Sequence, residues 1–401
     1  MFDRSQNGVD WGTQVLILGF SARAAAFSAR RAGFCPVAAD CFRDEDLAAI
    51  CDCRRIDRYP ADLEHAAQVF PNGPWLYTGG LENYPDMVDR LAQERILYGN
   101  PGSVLRAVRD PFCLAETLRS AGLPTLQVVA EPPQNVHGPW LRKPRESCGG
   151  LGIEWAGQQR DEPDAAVPRH TPLFKTTTGR NRVDYYQQFV LGTPCSAMFV
   201  GARGRAVWLG MTEQLIGEPW TGAQGFQYAG SLGPCDLPRG QQQLWKRIGN
   251  CLAERFELRG LFGVDAVRTQ DTIWVVEVNP RYTASLEVLE LATGRATIVP
   301  HVVACRDGEL PATWPLAAGP CVGKAIVYAR KDSCVPADFG QLVSRLNQDP
   351  ARPALADLPP GGYPLAAGHP VLTVLAYASS LAAVREALQQ HVATIQTALS
   401  V

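Results

Sequence analysis

Read from its N-terminus, the chain changes from polar to apolar at Gln14, and residues 14–19 (QVLILG) predict a strand. A turn at Phe20 and Ser21 leads into residues 22–32, an alanine-rich stretch with its charges on one face, which predicts a helix lying on a sheet and stopped at Gly33. A second short strand is expected near 36–39. A further one at 75–78 (WLYT) opens into the loop 79–83, and helical text runs over 85–95. Continuous apolar strands alternating with helices are how a parallel α/β sheet begins. Residues 1–108 are therefore expected to form a first parallel α/β module.

The texture then changes. Residues 111–122 read as a helix stopped by Gly122, with Pro124 beyond it. A strand at 140–143 runs into the glycine-bearing stretch PRESCGGLGI, and 157–171 are polar and proline-bearing, a loop. Strands follow at 185–190, 195–200 and 206–211, then a helix at 241–256 and two strands at 262–269 and 273–278. Residues 307–320, with three prolines and two glycines, read as a linker. Past it lie a strand at 322–329 and a closing amphipathic helix at 380–399. No internal repeat or low-complexity tract is visible. The divisions expected are 1–108, 109–318 and 319–401.

Composition narrows the function classes. The chain has 401 residues, 46% hydrophobic and 19% charged, an ordinary globular balance. Its net charge of −2 argues against coating nucleic acid or an anionic membrane by bulk charge. The 12 cysteines include no CxxC pair, and none of the 6 histidines stands at zinc-finger spacing from them. They read as small buried hydrophobes in a reducing compartment. No apolar run reaches the length of about 18 residues that a bilayer span needs, and no signal-peptide pattern opens the chain. A soluble cytoplasmic protein is expected.

The stretch 263–281 (GVDAVRTQDTIWVVEVNPR) carries the strongest chemical signal. It predicts a hairpin around Gln270 and Asp271, with Asp265 on the first strand and Glu277 and Asn279 on the second. Residues two apart on a strand share a face, so Glu277 and Asn279 point together, and the hairpin brings Asp265 opposite them. Two carboxylates and an amide oxygen suit Mg²⁺, which shares its remaining positions with water and substrate phosphates. Arg281 follows Pro280 and is placed to hold a phosphate or carboxylate with its planar fork. The second signal is residues 143–153 (KPRESCGGLGI), a strand lysine followed by a glycine loop, which suits a triphosphate without being a P-loop.

Together, Lys143, the glycine loop, the run Gln187-Gln188-Phe189-Val190 and the late Asp…Glu-x-Asn-Pro-Arg resemble the ATP-grasp superfamily over about 105–300, and within it the carboxylate–amine ligase branch. The upstream module is similar to the α/β domain that precedes the ATP-grasp core. Residues 321–400 resemble the C-terminal domain of biotin-carboxylase-like members. The resemblance implies an α/β and α+β fold: a Rossmann-like domain, an ATP-grasp core of two halves with ATP between them, and a C-terminal α/β piece. It implies that Lys143 contacts the ATP phosphates, that Ser147, Cys148, Gly149, Gly150 and Gly152 form a lid over them, and that Gln187, Gln188 and Val190 line the adenine edge. Asp265, Glu277 and Asn279 then hold Mg²⁺, and Lys143, Glu277 and Arg281 carry the catalysis. Where many relatives have another ATP-contacting lysine, this chain reads Arg109-Asp110-Pro111, so Arg106 or Arg109 replaces it or the contact is absent.

The function implied is an ATP- and Mg²⁺-dependent ligase that activates a carboxylate as an acyl phosphate and passes it to an amine. Alternatives are a nucleotide-binding regulatory protein without turnover, or phosphotransfer to bicarbonate in the manner of biotin carboxylase. For substrate contacts the sequence offers Ser21 and Arg23 after the first strand, Glu82 in the loop 79–83, Arg180 and Arg182 in the run TGRNR, and Arg281. Expected partners are small-molecule carboxylates and amines, with no nucleic acid and no membrane, in a homodimer.

Overall fold

The computed structural model describes residues 12–133, 138–157, 184–315 and 319–401. The N-terminal sheet is parallel, in the order β3-β2-β1-β4, from β1 (Gln14–Leu18), β2 (Cys35–Asp40), β3 (Cys53–Arg55) and β4 (Trp75–Tyr77). Its helices are α1 (Arg23–Arg31), α2 (Glu45–Ile50), α3 (Leu63–Val69) and α4 (Pro85–Glu94). The alanine-rich text of α1 explains its seat: Ala25, Ala26 and Ala29 are at most 1% exposed, so the helix lies close on the sheet. Gly19 ends β1 because nothing larger fits there; a Cβ would stand 2.1 Å from Thr78 Oγ1.

Two helices, α5 (Gly102–Val108) and α6 (Pro111–Ser120), lead out of this domain. Asp110 caps α6 by accepting the N–H groups of Phe112 and Cys113, and Pro111 takes the first turn, where its missing N–H is harmless. A small sheet follows in the order β5-β8-β6-β7, from β5 (Val128–Val129), β6 (Trp140–Pro144), β7 (Glu154–Trp155) and β8 (Asp184–Gln188).

The large sheet has eight strands in the order β13-β12-β9-β10-β11-β14-β18-β16. Its strands are β9 (Thr193–Ala202), β10 (Arg205–Ile216), β11 (Tyr228–Gly233), β12 (Gly260–Arg268), β13 (Ile273–Asn279), β14 (Cys321–Tyr328), β16 (Leu355–Ala356) and β18 (Pro370–Ala378). A separate two-stranded ladder joins β15 (Ser333–Cys334) to β17 (Pro364–Leu365). Pairing of β11 with β14, Gly230 opposite Ala325, makes the C-terminal strands continuous with the central ones. The helices α7 (Arg239–Phe256), α8 (Ala284–Thr293), α9 (Ile298–Arg306), α10 (Phe339–Leu346) and α11 (Leu381–Leu399) complete the fold. Buried Trp245, Ile248 and Leu252 of α7 meet Phe199 and Phe262 of the sheet, which stack with centroids 5.1 Å apart. Among the described residues no single helix is long and apolar enough to cross a membrane.

The strands of 195–200 and 206–211 run longer than expected, because β9 and β10 are interior strands and their pairing continues past the apolar text. Helix α8 (ASLEVLELAT) was not expected at all. It is buried nearly all round, Glu287 and Glu290 included, so no amphipathic period marks it.

Those two glutamates make a buried ion network. Glu287 sits between the Arg23 guanidinium and Lys324 Nζ, the latter at 2.7 Å, and all three side chains are at most 5% exposed. Arg23 also reaches Asp46 Oδ2 at 2.7 Å, and Asp46 accepts the N–H groups of Asp357 and Leu358. Glu290 pairs with Arg31 and accepts Ser28 Oγ at 2.6 Å. The network ties α1, α2, α8, β14 and the segment after β16 together. Burial opposes the Glu287 charge, but Lys324 and Arg23 outweigh it and hold its pKa down at about 2.

A carboxylate whose pKa falls on folding stabilises the protein above its unfolded pKa of about 4.3, and this stability is lost as pH falls toward the folded value. Glu287→Gln leaves two buried cations facing one neutral group, and its expected cost is about 3–5 kcal/mol at neutral pH in denaturant titration. The deficit should shrink as pH falls from 5 toward 2.

Candidate active site

A cavity of about 460 Å³ opens between the small sheet and the β12–β13 end of the large sheet. Antiparallel register builds its floor. Asp265 of β12 stands directly opposite Glu277 of β13, and Asn279 stands opposite Gly263. The interior strands reach the same point. Asp265 Oδ1 accepts Ser196 Oγ of β9 at 2.5 Å and Gln214 Nε2 of β10 at 3.2 Å, while Oδ2 accepts Asn279 Nδ2 at 2.9 Å. Burial, and then the charge of Glu277, raise the pKa of Asp265 to about 7. Two carboxylates face each other here, and the donors and cations around them offset their repulsion only in part.

Lys143 on β6 lines the cavity from the small sheet and is 4% exposed. Its Nζ donates to Gln187 Oε1 at 3.0 Å, and Gln187 Nε2 donates to the Val276 carbonyl at 3.1 Å. Gln187 therefore holds the lysine and also bridges the small sheet to β13. Burial opposes the ammonium, but Tyr185, Glu277 and Asp265 outweigh it and leave the Lys143 pKa above its ordinary value. The Gln188 N–H is spent on the Gln127 carbonyl at 2.9 Å, and Phe189 and Val190 continue along the cavity wall.

Arg281, one residue past Pro280, closes the other end. Its Nε and Nη2 donate to Glu82 Oε1 at 2.9 and 2.7 Å, and Nη2 also reaches Asn279 Oδ1 at 3.1 Å. Glu82 corrects an expectation. It lies in the turn Leu81–Asn83, only 2% exposed and behind Arg281, and so orients the guanidinium rather than meeting a substrate. Burial raises its pKa, yet Arg281 and Arg109 more than offset this and keep it ionised. Arg23 is a second correction, since the network around Glu287 buries it away from the cavity. Ser21, its neighbour, stands off the cavity wall too and gives its carbonyl to Thr78 Oγ1 at 2.8 Å. Arg180 and Arg182 lie outside the described residues.

The loop 145–152 covers the cavity and is docked on both sides. Arg109 Nη2 donates to the Ser147 carbonyl at 3.1 Å and to Asn83 Oδ1 at 2.9 Å, and the Gly149 carbonyl accepts the Tyr228 N–H at 3.0 Å. Gly150 has φ +78°, and a Cβ there would stand 1.8 Å from the Phe226 carbonyl oxygen, so only glycine seats the loop. Trp155 packs edge-on against Phe189 and Phe226 at 4.8 and 5.5 Å, joining the small sheet to the loop before β11. Burial raises the Cys148 pKa to about 11, which leaves it a thiol and not a nucleophile. Of the two arginines offered in place of a lysine, Arg109 lines the cavity, whereas Arg106 pairs with Asp86 and Asp89 at the surface.

Sequence reasoning missed Ser196 and Gln214, which hold Asp265, and Ser285, linked through Ser231 to the Tyr228 hydroxyl at 2.9 and 2.7 Å. A lone serine inside the apolar run of β9 was the available signal for the first. Asp265, Glu277 and Asn279 form a hard-oxygen donor set with two acids, a chemistry that suits a divalent cation. Among the described residues there is no cluster of three or more His, Cys, Asp or Glu suited to a metal.

Residues 108–285 match the ATP-grasp domain family model. No curated protein matches the chain in sequence. Among solved structures, the fold is similar to N5-carboxyaminoimidazole synthetase from Staphylococcus aureus complexed with ADP, at TM-score 0.67 and 14% identity over 96% of this chain and 98% of that one. It is similar to L-amino acid ligase from Bacillus licheniformis at TM-score 0.66 and 14% identity, over 96% and 97%. The biotin carboxylase domain of the Hydrogenobacter thermophilus 2-oxoglutarate carboxylase, in complex with MgADP, ADP and bicarbonate, gives TM-score 0.62 and 14% identity over 92% and 86%. At such identities the likeness is one of fold, and the family match adds the domain: residues 108–285 form an ATP-grasp domain.

Proposed function

We propose that the chain is an ATP- and Mg²⁺-dependent carboxylate–amine ligase. The observation that carries this reading is the convergence of Lys143, Arg281 and the Asp265/Glu277/Asn279 set on one cavity beneath a glycine loop. In the reaction, a substrate carboxylate oxygen bonds to the γ-phosphorus of ATP as the bond to the β-phosphate oxygen breaks, giving an acyl phosphate and ADP. An amine then forms the C–N bond, phosphate leaves with the bonding pair, and the amine proton passes to phosphate or water.

Each residue has a role that follows from its place. Lys143, steadied by Gln187, neutralises phosphoryl oxygens from the small-sheet side, and Arg281, aimed by Glu82, does so from the other. Asp265, Glu277 and Asn279 would hold Mg²⁺, which supplies charge neutralisation on the phosphate oxygens when bound. Gln188 and Val190 are assigned to the adenine edge. The loop 147–152 excludes water, which would otherwise hydrolyse the acyl phosphate. The ADP in one structural neighbour and the MgADP in another support this reading, as does the amino acid ligase among them.

ADP release from ATP and Mg²⁺ should rise when pooled amino acids and small carboxylates are added, and Glu277→Gln should abolish the stimulated rate. ATP binding without stimulation by any pool would favour the regulatory alternative, and absence of ATP binding would sink the assignment. Lys143→Met is expected to lower kcat/KM for ATP on the order of 100-fold. Gly150→Ala unseats the loop, so hydrogen exchange over 147–152 should speed up about tenfold while global stability changes little. Unaltered exchange in that variant would show that the loop does not depend on the Phe226 contact.

A further inference from the structure

A second cavity, of about 490 Å³, lies where the chain just after β2 meets the C-terminal segment. Phe42 and Asp44 line it from one side, and Asp332, Ser333, Tyr363 and His369 from the other. Among the described residues lining it there is no lysine or arginine. Two polar atoms on its walls, Asp44 Oδ2 and Ser333 Oγ, are buried without a hydrogen-bond partner. Asp44 is 6% exposed, and although it stands at the N-cap of α2 its side chain caps nothing.

Buried polar groups in native proteins find partners, so an orphaned carboxylate on a cavity wall marks a place where a partner is supplied from outside. The charges around it say which kind. Burial, followed by the charges of Asp357, Asp40 and Asp46, pushes the Asp44 pKa well above the usual carboxylate range. Arg23, the cation whose charge acts on Asp44, is committed to Glu287 and Asp46. A positive charge is missing beside Asp44.

We propose that this cavity binds a small organic ammonium carried on an apolar or aromatic body. Asp44 is its counter-ion, Ser333 Oγ accepts one of its N–H groups, and the faces of Phe42 and Tyr363 receive the body. The Tyr363 ring already accepts a cation from outside the cavity, with Arg55 5.5 Å from its centroid. A chain of rings runs from the site toward the residue that aims Arg281. Phe42 packs edge-on to Phe20 at 5.1 Å, Phe20 to Tyr59 at 5.9 Å, and Tyr59 OH abuts Gly80, two residues before the Glu82 that aims Arg281. The ammonium is either the amine substrate or a separate effector. The proposal itself does not depend on the ligase reading.

The test is calorimetric titration of the full chain with benzylammonium and with its neutral counterpart, benzyl alcohol. Benzylammonium should bind at least about tenfold more tightly than the alcohol, and Asp44→Asn should lose that preference. Tyr363→Leu should weaken both probes, and it serves as the second variant if Asp44→Asn does not fold. Glu277→Gln should leave both affinities unchanged, because it alters only the first cavity. Equal affinity for the two probes, no binding, unchanged binding in the Asp44 and Tyr363 variants, or loss of binding in Glu277→Gln would each overturn the proposal. If benzylammonium raises the KM of the reacting amine it occupies a substrate site; if it changes kcat alone it acts as an effector. Both results support the site, and they separate the two sources.

Discussion

Asp265 and Glu277 are held face to face by antiparallel register, both lining one cavity, and much of the surrounding chemistry answers that constraint. Two carboxylates in such a place repel each other and resist ionisation unless positive charge or hydrogen-bond donors are close. Ser196 and Gln214 donate from the next two strands, Asn279 donates from the strand that carries Glu277, and Lys143 approaches from the opposite sheet. The pair therefore explains polar residues on four adjacent strands whose neighbours are otherwise apolar.

Arg281 is the point where this constraint meets the rest of the fold. It lies three residues before α8, and α8 is pinned by Glu287 and Glu290 to α1 and β14. Its guanidinium is turned by Glu82, which comes from the N-terminal domain. Neither Glu82 nor the two α8 glutamates lines the cavity. All three act through position, so the N-terminal domain contributes to the chemistry as a frame for one arginine.

What the sequence made legible was local. The hairpin carrying Asp265, Glu277 and Asn279 could be read from spacing, because strand periodicity and a short turn fix which side chains share a face. The strand lysine and its glycine loop could be read for the same reason. The partners that tune these residues could not. Glu82 and Arg281 are separated by 199 positions and Arg23 and Glu287 by 264, and no periodicity encodes such pairs. Arg23 and Glu82 looked available for a substrate because a charge after a sheet strand usually is. Their partners lie on α8 and beyond β13, in text whose burial the sequence did not betray. Asp44 was invisible likewise, since burial in the folded chain isolates it and Asp357, from the far end of the chain, adds a like charge.

The loop over the cavity shows how closure and access coexist. Its main-chain hold includes a hydrogen bond from Tyr228 to the Gly149 carbonyl and others from Arg109 and Asn83 to the Ser147 carbonyl. Each such bond is worth about 0.5–1.5 kcal/mol net, small beside the stability of a domain. Its shape is specified tightly, however, because the glycine at 150 allows a backbone approach to Phe226 that no side chain permits. A cover shaped this exactingly closes in one way only. Arg109 adds direction to this, since the guanidinium that holds Ser147 also lines the cavity, and an anion bound there competes with Asn83 for it. Filling the cavity thus alters the same contact that fastens its cover, which couples occupancy to closure without a dedicated hinge.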